Sequence, residues 1–319
     1  MNQEKRFKIL VTGGAGFIGS NLAEALLRQG HQVRVLDNFS TGKRENLVFE
    51  KEYSALEIID GDICDFGTCQ KATKGIHYVF HQAALPSVPR SVEDPLTTHF
   101  VNANGTLNIL LAARDAGVKR VIYASSSSIY GDTPTLPKKE DMPPNPLSPY
   151  ALQKYIGEQY ARLFFQLYGL ETVSLRYFNI FGPKQDPASI YSAVIPKFIN
   201  ALLRNDAPVI FDDGEQSRDF TYIDNVVHAN LLAMSAERLQ GEVVNIACGK
   251  RTSLNQLLGI LKAALGSNVS PVYKEPRKGD VKHSLAEISR SKHVIDYDPQ
   301  ADIEIGLKKT VDYFRKQKS

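Results

Sequence analysis

The stretch "KILVTGGAGFIGSNLAEALL", residues 8–27, constrains this chain more than any other. A β-rich run ends in Gly13, Gly14, Gly16 and Gly19, and an apolar pattern at helical spacing follows. Gly14, Gly16 and Gly19 satisfy G-x-G-x-x-G, and Gly13, Gly16 and Gly19 satisfy G-x-x-G-x-x-G. Without Cβ atoms such a turn can be tight, a pyrophosphate can approach its backbone, and the helix N-terminus behind it is positive. Any tight strand-to-helix turn can carry glycines, so the flanks matter. The next β-rich run, "QVRVLD", closes on Asp37, 18 residues after Gly19. A carboxylate there can bond both hydroxyls of a ribose and repels a 2′-phosphate, so the pattern predicts NAD rather than NADP. The alternative for Asp37 is an ordinary turn residue. After the third run, "DGDICD" puts Asp62 and Ile63 either around an adenine or in a plain surface turn.

The first half keeps this rhythm. "LEIIDGD", "YVFHQA", "RVIYASS" and "TVSLRYFN" read as further strands, separated by "TLNILLAARDAG" and "YALQKYIGEQYARLFFQLYG", which read as helices ending in glycine. Alternating strand and helix predicts an α/β chain, a Rossmann-type doubly wound parallel sheet covered on both faces. Residues 1–180 are expected to form the NAD-binding domain, with about 220–248 ("HANLLAMSAE", "EVVNIACG") returning to its sheet. Residues 181–319 supply a smaller, partly interleaved C-terminal substrate domain. There "FGPKQDPASIYSAVIPKF" reads as a loop entering a helix, and "PVYKEPRKGDVKHS" as a loop.

Charge narrows the partners. The 38 basic and 35 acidic residues leave a net charge of +3, which predicts neither a nucleic-acid nor a membrane partner. The basic end, "KKTVDYFRKQKS", reads as the solvated face of a last helix. Three cysteines, Cys64, Cys69 and Cys248, form no C-x-x-C and cannot all pair, which fits the reducing cytoplasm. No segment has the roughly 18 uncharged apolar residues of a membrane span. His77 and His81 lie four apart in a strand context, where that spacing is not a ligand pair. No metal site is expected.

"SPYALQKYIGE", residues 148–158, carries the chemistry. Serine is a favoured N-cap and proline suits a first turn, so a helix starts here, with Tyr150 and Lys154 on one face. A free tyrosine is a poor base at neutral pH. A neighbouring ammonium and a positive helix end both favour the phenolate, which makes Tyr150 a candidate general base. Lys154 can also bond a nicotinamide ribose. "RVIYASSSSIYGD" then ends a strand in four serines at the carboxyl edge of the sheet, where a hydroxyl can hydrogen-bond a reacting alcohol and relay its proton.

Together "TGGAGFIGS", "SSSSIYGD" and "SPYALQK" resemble an extended short-chain dehydrogenase/reductase of the nucleotide-sugar epimerase group. The likeness continues through "RYFNIFGPKQDP", "DGEQSRDFTYIDNVVHAN" and "PRKGDVKHSLAEIS", over nearly the whole chain. It implies a catalytic Ser–Tyr–Lys triad, Ser126, Tyr150 and Lys154, with the register within Ser125–Ser128 open. For NAD it implies Gly13, Gly16, Phe17, Ile18 and Gly19 at the first turn, and Asp37, Asn38, Ser40 and Gly42 after the second strand. Asp62, Ile63, Gln82, Ala83 and Tyr177 join them, with Tyr150 and Lys154. For a UDP-sugar it implies Ser87, Ser126, Ser128, Tyr150 and Asn179 near the sugar, and Val194 and Lys197 from a substrate helix. Arg218 and Arg277 suit the diphosphate, Asp280 a ribose, and Ser284 the sugar C2 substituent.

The resemblance implies oxidation at C4 of a UDP-hexose and return of the hydride to its opposite face. Related dehydratases and decarboxylases carry an acidic residue in the serine segment, where this chain has Ser127 and Ser128. The expectation is therefore an isomerase. A small residue at Ser284 leaves room for an acetamido group, so UDP-GlcNAc/UDP-GalNAc is the expected pair, with UDP-Glc/UDP-Gal beside it. The alternatives are that Ser284 faces elsewhere, that the chain is a nucleotide-sugar dehydratase, or that it is a non-catalytic NAD-binding regulator. The resemblance also implies a homodimer through helices around residues 99–116 and 150–168, where Leu163, Phe164 and Leu167 suit either that contact or, equally, the face turned to the sheet.

Overall fold

The computed structural model describes residues 6–186, 194–276 and 282–318. The first half is built of strands β1 (Lys8–Thr12), β2 (Gln32–Asp37), β3 (Leu56–Asp60), β4 (Tyr78–His81), β5 (Arg120–Ser126) and β6 (Glu171–Tyr177). Helices α1 (Phe17–Arg28), α2 (Phe66–Thr73), α3 (Val88–Glu93), α4 (Pro95–His99), α5 (Gly105–Asp115) and α6 (Pro149–Tyr168) lie between them. Beyond them come β7 (Ile180–Phe181), α7 (Val194–Leu203), β8 (Val209–Phe211), β9 (Ser217–Arg218), β10 (Thr221–Tyr222) and α8 (Ile223–Ser235). The chain then runs through β11 (Glu242–Ile246), β12 (Thr252–Ser253), α9 (Leu254–Leu265), β13 (Val272–Lys274), α10 (Ser289–Ile295) and α11 (Ile303–Lys318).

Seven strands form one parallel sheet in the order β11-β6-β5-β4-β1-β2-β3. Buried strands of a parallel sheet send successive side chains into two different cores. Ile9 and Val11 of β1 enter one core with Leu22 and Leu26 of α1 and Val226 of α8. Leu10 between them enters the other, with Val79, Val121, Cys69 of α2, Ile109 of α5 and Phe164 of α6. The order reverses at β1, which pairs with β2 on one side and β4 on the other. A crevice opens outside the carboxyl ends of strands at such a reversal.

The sheet is thus the expected doubly wound one, and residues 242–246 lie at its edge beside β6. The structure decides one open expectation and corrects another. Phe164 is 4% exposed and packs inside, whereas Leu163 and Leu167 are 43% and 66% exposed, because a helical stripe one residue wide separates core from surface. The segment expected to be a loop after Ser270 contains β13, which pairs in parallel with β8. Among the described residues no helix is long and apolar enough to cross a membrane.

Candidate active site

The crevice is a cleft of about 1400 Å³. Its floor is the turn after β1. Gly13 has φ +66°, and a Cβ there would stand 2.7 Å from the Ala83 Cα after β4. A Cβ on Gly19 would overlap the Gly13 carbonyl. These two glycines let the turn fold under the start of α1, whose N-cap, Gly16, uses no side chain to cap the helix amides. The amides therefore remain available to a phosphate oxygen. This is a cradle that side chains would fill, and it fits a dinucleotide pyrophosphate.

Asp37 is buried at the end of β2. Its Oδ2 accepts from Ala15 N at 2.9 Å and its Oδ1 from Phe39 N at 2.8 Å, which leaves further lone pairs toward the cleft. Burial pushes its carboxyl above the usual range, against the pull of those two bonds. Asp62 accepts from Cys64 N at 2.8 Å and Asn38 Nδ2 at 2.9 Å. Burial raises Asp62, but the bonds from Cys64 and Asn38 outweigh it and hold the carboxyl below its usual value. At the other side of the turn Gln82 Nε2 lies 3.2 Å from the Tyr177 hydroxyl, which also receives Asn230 Nδ2 at 2.9 Å. Gly13, Gly16, Phe17, Ile18, Gly19, Asp37, Asn38, Ser40, Gly42, Asp62, Ile63, Gln82, Ala83, Tyr150 and Tyr177 all line this cleft.

The catalytic candidates come from β5 and α6. Ser148 caps α6 by accepting from Ala151 N at 3.2 Å, Pro149 occupies the first turn, and Gly169 ends the helix in the left-handed region. Gly157 brings α6 against β5, since a Cβ there would overlap the Tyr123 hydroxyl. Tyr150 lines the cleft, and Lys154 lies one turn behind it, its Nζ 6.0 Å from the Tyr150 ring centre. Lys154 does not line the cleft. It is buried, and its Nζ donates to the Ala124 carbonyl at 2.8 Å.

The serines separate by partner. Ser125 and Ser126 both line the cleft, but Ser125 Oγ donates to Glu158 Oε1 at 2.5 Å, whereas Ser126 Oγ shares a 2.9 Å hydrogen bond with Ser128 Oγ. The Ser126 hydroxyl lies against the Tyr150 phenol and lowers its pKa, but burial dominates and pushes Tyr150 up to about 12. Burial likewise pulls Lys154 down to about 7, opposed by Glu158. The sequence expectation of a phenol made more acidic by its lysine is thus reversed in the protein alone, because desolvation acts on both partners. A positive group brought into the cleft would favour the phenolate again.

Of the substrate candidates, Ser87, Ser126, Tyr150 and Asn179 line the cleft. Ser87 caps α3 and accepts from Arg90 N at 3.1 Å; Asn179 has φ +37° and donates to the Asp219 carbonyl at 3.0 Å. Val194 and Lys197 stand on α7, Arg218 donates to the Lys282 carbonyl at 3.0 Å, and Ser284 N donates to the Ser217 carbonyl at 3.0 Å. None of these four lines the cleft. Arg277 and Asp280 lie outside the described residues. The cleft also takes Arg90, Lys184 and Tyr313, which no sequence pattern singled out. Lys43 and Asp186 pair across its rim at 2.9 Å. Among the described residues no group of three His, Cys, Asp or Glu side chains could hold a metal. His81 instead bonds Thr12 Oγ1 at 2.7 Å and Thr106 Oγ1 at 3.0 Å in the core.

The model of the NAD-dependent epimerase/dehydratase family matches residues 9–247. A UDP-glucose 4-epimerase of Mycolicibacterium smegmatis is 39% identical over 310 residues, 97% of this chain and 98% of its own. The solved UDP-N-acetylglucosamine 4-epimerase of Methanobrevibacter ruminantium, in complex with UDP-N-acetylmuramic acid, is 43% identical with a TM-score of 0.94, covering 98% of this chain and 100% of that one. The UDP-glucose 4-epimerase of Thermotoga maritima, solved with UDP-glucose, is 40% identical with a TM-score of 0.92, at 98% and 100% coverage.

Proposed function

This chain belongs to the NAD-dependent epimerase/dehydratase family, and from that premise we propose that it is a UDP-sugar 4-epimerase whose main substrates are UDP-GlcNAc and UDP-GalNAc. The observation that carries the reading is the meeting of Ser126 and Tyr150 in one cleft with the glycine turn, with Lys154 one helical turn behind and no carboxylate among Ser125–Ser128.

NAD, when bound, supplies reversible two-electron chemistry that needs no net oxidant. The residues do the rest. Ser126 hydrogen-bonds the sugar C4 oxygen, and Tyr150 takes the hydroxyl proton and later returns it. Lys154, held by Ala124, lowers the cost of the phenolate. The 4-keto sugar turns over within the cleft before reduction on its other face, which inverts C4. Elimination of water or loss of CO₂ calls for a further acid–base group, and the neutral serine segment offers none. The substrate preference rests on the family resemblance, which puts Ser284 by the sugar C2 substituent. A side chain that small leaves room there for an acetamido group. NAD binding by residues 1–180, nucleotide-sugar binding by residues 181–319 with Arg218, Arg277 and Asp280, and a homodimer complete the proposal.

The test is product analysis after incubating purified protein separately with UDP-GlcNAc and UDP-Glc, no cofactor added. Formation of UDP-GalNAc supports the full reading. Conversion of UDP-Glc alone keeps the mechanism and removes the substrate preference. A 4-keto-6-deoxy product would make the protein a dehydratase.

A further inference from the structure

Glu158 follows Lys154 by one turn of α6, as Lys154 follows Tyr150, so the three side chains share a face. Glu158 is fully buried. Its Oε1 accepts from Ser125 Oγ at 2.5 Å and from Arg176 Nε at 2.8 Å, and its Oε2 from Arg176 Nη2 at 2.8 Å. Ser125 and Arg176 stand opposite each other in the β5–β6 register. One carboxylate thus joins the helix of Tyr150 to both strands below it, next to the serine that lines the cleft. Stability alone is a weak reason for this pair, because apolar residues of similar volume often replace buried ion pairs without loss.

We infer that Glu158 is a positioning residue of the proton-transfer site: its carboxylate keeps the proton on Lys154 and fixes the strand end that presents Ser126. The inference rests on the roles proposed above for Tyr150 and Lys154. The groups that face Lys154 are few. Tyr150 lies on its own helix, β5 supplies the Ala124 carbonyl and the Tyr123 ring, 5.1 Å from Nζ, and β4 supplies His81, stacked on Tyr123. Burial holds Tyr123 in its neutral form, and it pulls His81 down to about 3 with help from Lys154. Among these groups the negative charge sits on Glu158, offset in part by Arg176 behind it. The working form carries a proton on Lys154 and none on Tyr150, so activity falls on the alkaline side once Lys154 loses its proton.

The experiment uses the NAD-containing protein and three variants: Glu158→Gln, Glu158→Asp, and Glu158→Gln with Arg176→Gln. The paired variant removes both buried charges and so avoids a lone cation where the single change fails to fold. Lys154 is titrated by NMR on protein labelled at the lysine ε-carbons, its signal identified with Lys154→Met. The pH dependence of kcat is measured beside it. In Glu158→Gln the Lys154 midpoint and the alkaline limb of kcat should both move down by about one pH unit or more. In the paired variant they should move the same way by less, because the Arg176 charge leaves with its partner. Glu158→Asp, which keeps the charge, should restore most of the shift at lower kcat, and KM should stay near wild type throughout. Folded, NAD-containing variants in which Lys154 titrates as in wild type would overturn the inference. A moved Lys154 titration in a protein that converts no UDP-hexose would instead sink the proposed function and leave the tuning by Glu158 standing.

Discussion

Lys154 Nζ donates to the Ala124 carbonyl at 2.8 Å while lying 6.0 Å from the centre of the Tyr150 ring. The bond holds Nζ beneath the end of β5, and in the proposed mechanism its ammonium stabilises the Tyr150 phenolate. Replacing it should therefore separate function from stability. Lys154→Met is expected to lower kcat by about 10²- to 10⁴-fold, with NAD still bound.

The same variant should melt higher than wild type. Burial depresses the folded-state pKa of Lys154 to about 7 from the ordinary lysine value of 10.5. Its contribution to stability is therefore full above the unfolded value and lost as pH falls through the folded one. The melting advantage of Lys154→Met should grow as pH is lowered from about 10.5 to about 7, then level off. Thermal melts across that window check the sign; an advantage that shrinks toward pH 7 would contradict it.

Gly19 closes the turn against Gly13, and a Cβ has nowhere to go because its nearest neighbours are backbone atoms. Gly19→Ala should cost about 1–3 kcal/mol and empty the protein of NAD, read as a lower Tm and loss of cofactor absorbance on the purified protein. A variant that retains full NAD would show that the turn has another way to open.

Asp37 ties the glycine turn and Phe39 to one carboxylate. In Asp37→Asn one of those two amides meets an NH₂ group or loses its partner. NAD affinity should fall by about 10- to 100-fold, the worth of one hydrogen bond to a charged group. NADP should lose less, since repulsion of its 2′-phosphate disappears. Titrating both dinucleotides into the cofactor-free protein gives the ratio, and an equal loss for both would mean that Asp37 does not face the ribose.

Ser284 is half-buried and tied by its amide to Ser217. Ser284→Tyr should lower kcat/KM for UDP-GlcNAc by about tenfold or more and leave UDP-Glc nearly unchanged. Equal effects on the two substrates would place the C2 substituent elsewhere.

Leu163 and Leu167 are exposed on α6, and Leu96 and Phe100 are exposed near α4. The homodimer proposed above would bury these side chains. Sedimentation should find a dimer, and Leu163→Glu with Leu167→Glu should yield a monomer. A wild-type monomer at micromolar concentration would remove the homodimer from the proposal.

Local rules carried much of this protein. The Ser148 cap, Pro149 and the terminal Gly169 were readable because capping depends on neighbours in sequence. The β1 turn and Asp37 were readable for a similar reason, since a turn that needs φ > 0 or a missing Cβ writes itself into residue type. Other elements left weaker traces. Helices α2 and α3 carry side-chain caps, Asp65 and Ser87, but their eight and six residues are too few to show a clear period.

Spacing set which residues could share a face, but not what that face met. The period of α6 grouped Tyr150 and Lys154, yet only the approach of β5 at Gly157 buried Lys154, and Glu158, one turn further on, stood out only through its contacts with Ser125 and Arg176. Four consecutive serines look alike in a sequence; the packing of β5 against α6 gave Ser125 to Glu158 and left the Ser126 hydroxyl with Ser128. Arg90, Lys184 and Tyr313 reach one cavity from distant parts of the chain, and no local pattern records such a meeting. Chain-local geometry therefore determined the alternating fold and its glycine turn, while the chemistry was read from the family resemblance. Desolvation and long-range packing, which depend on every neighbour at once, decided the protonation states and the walls of the site.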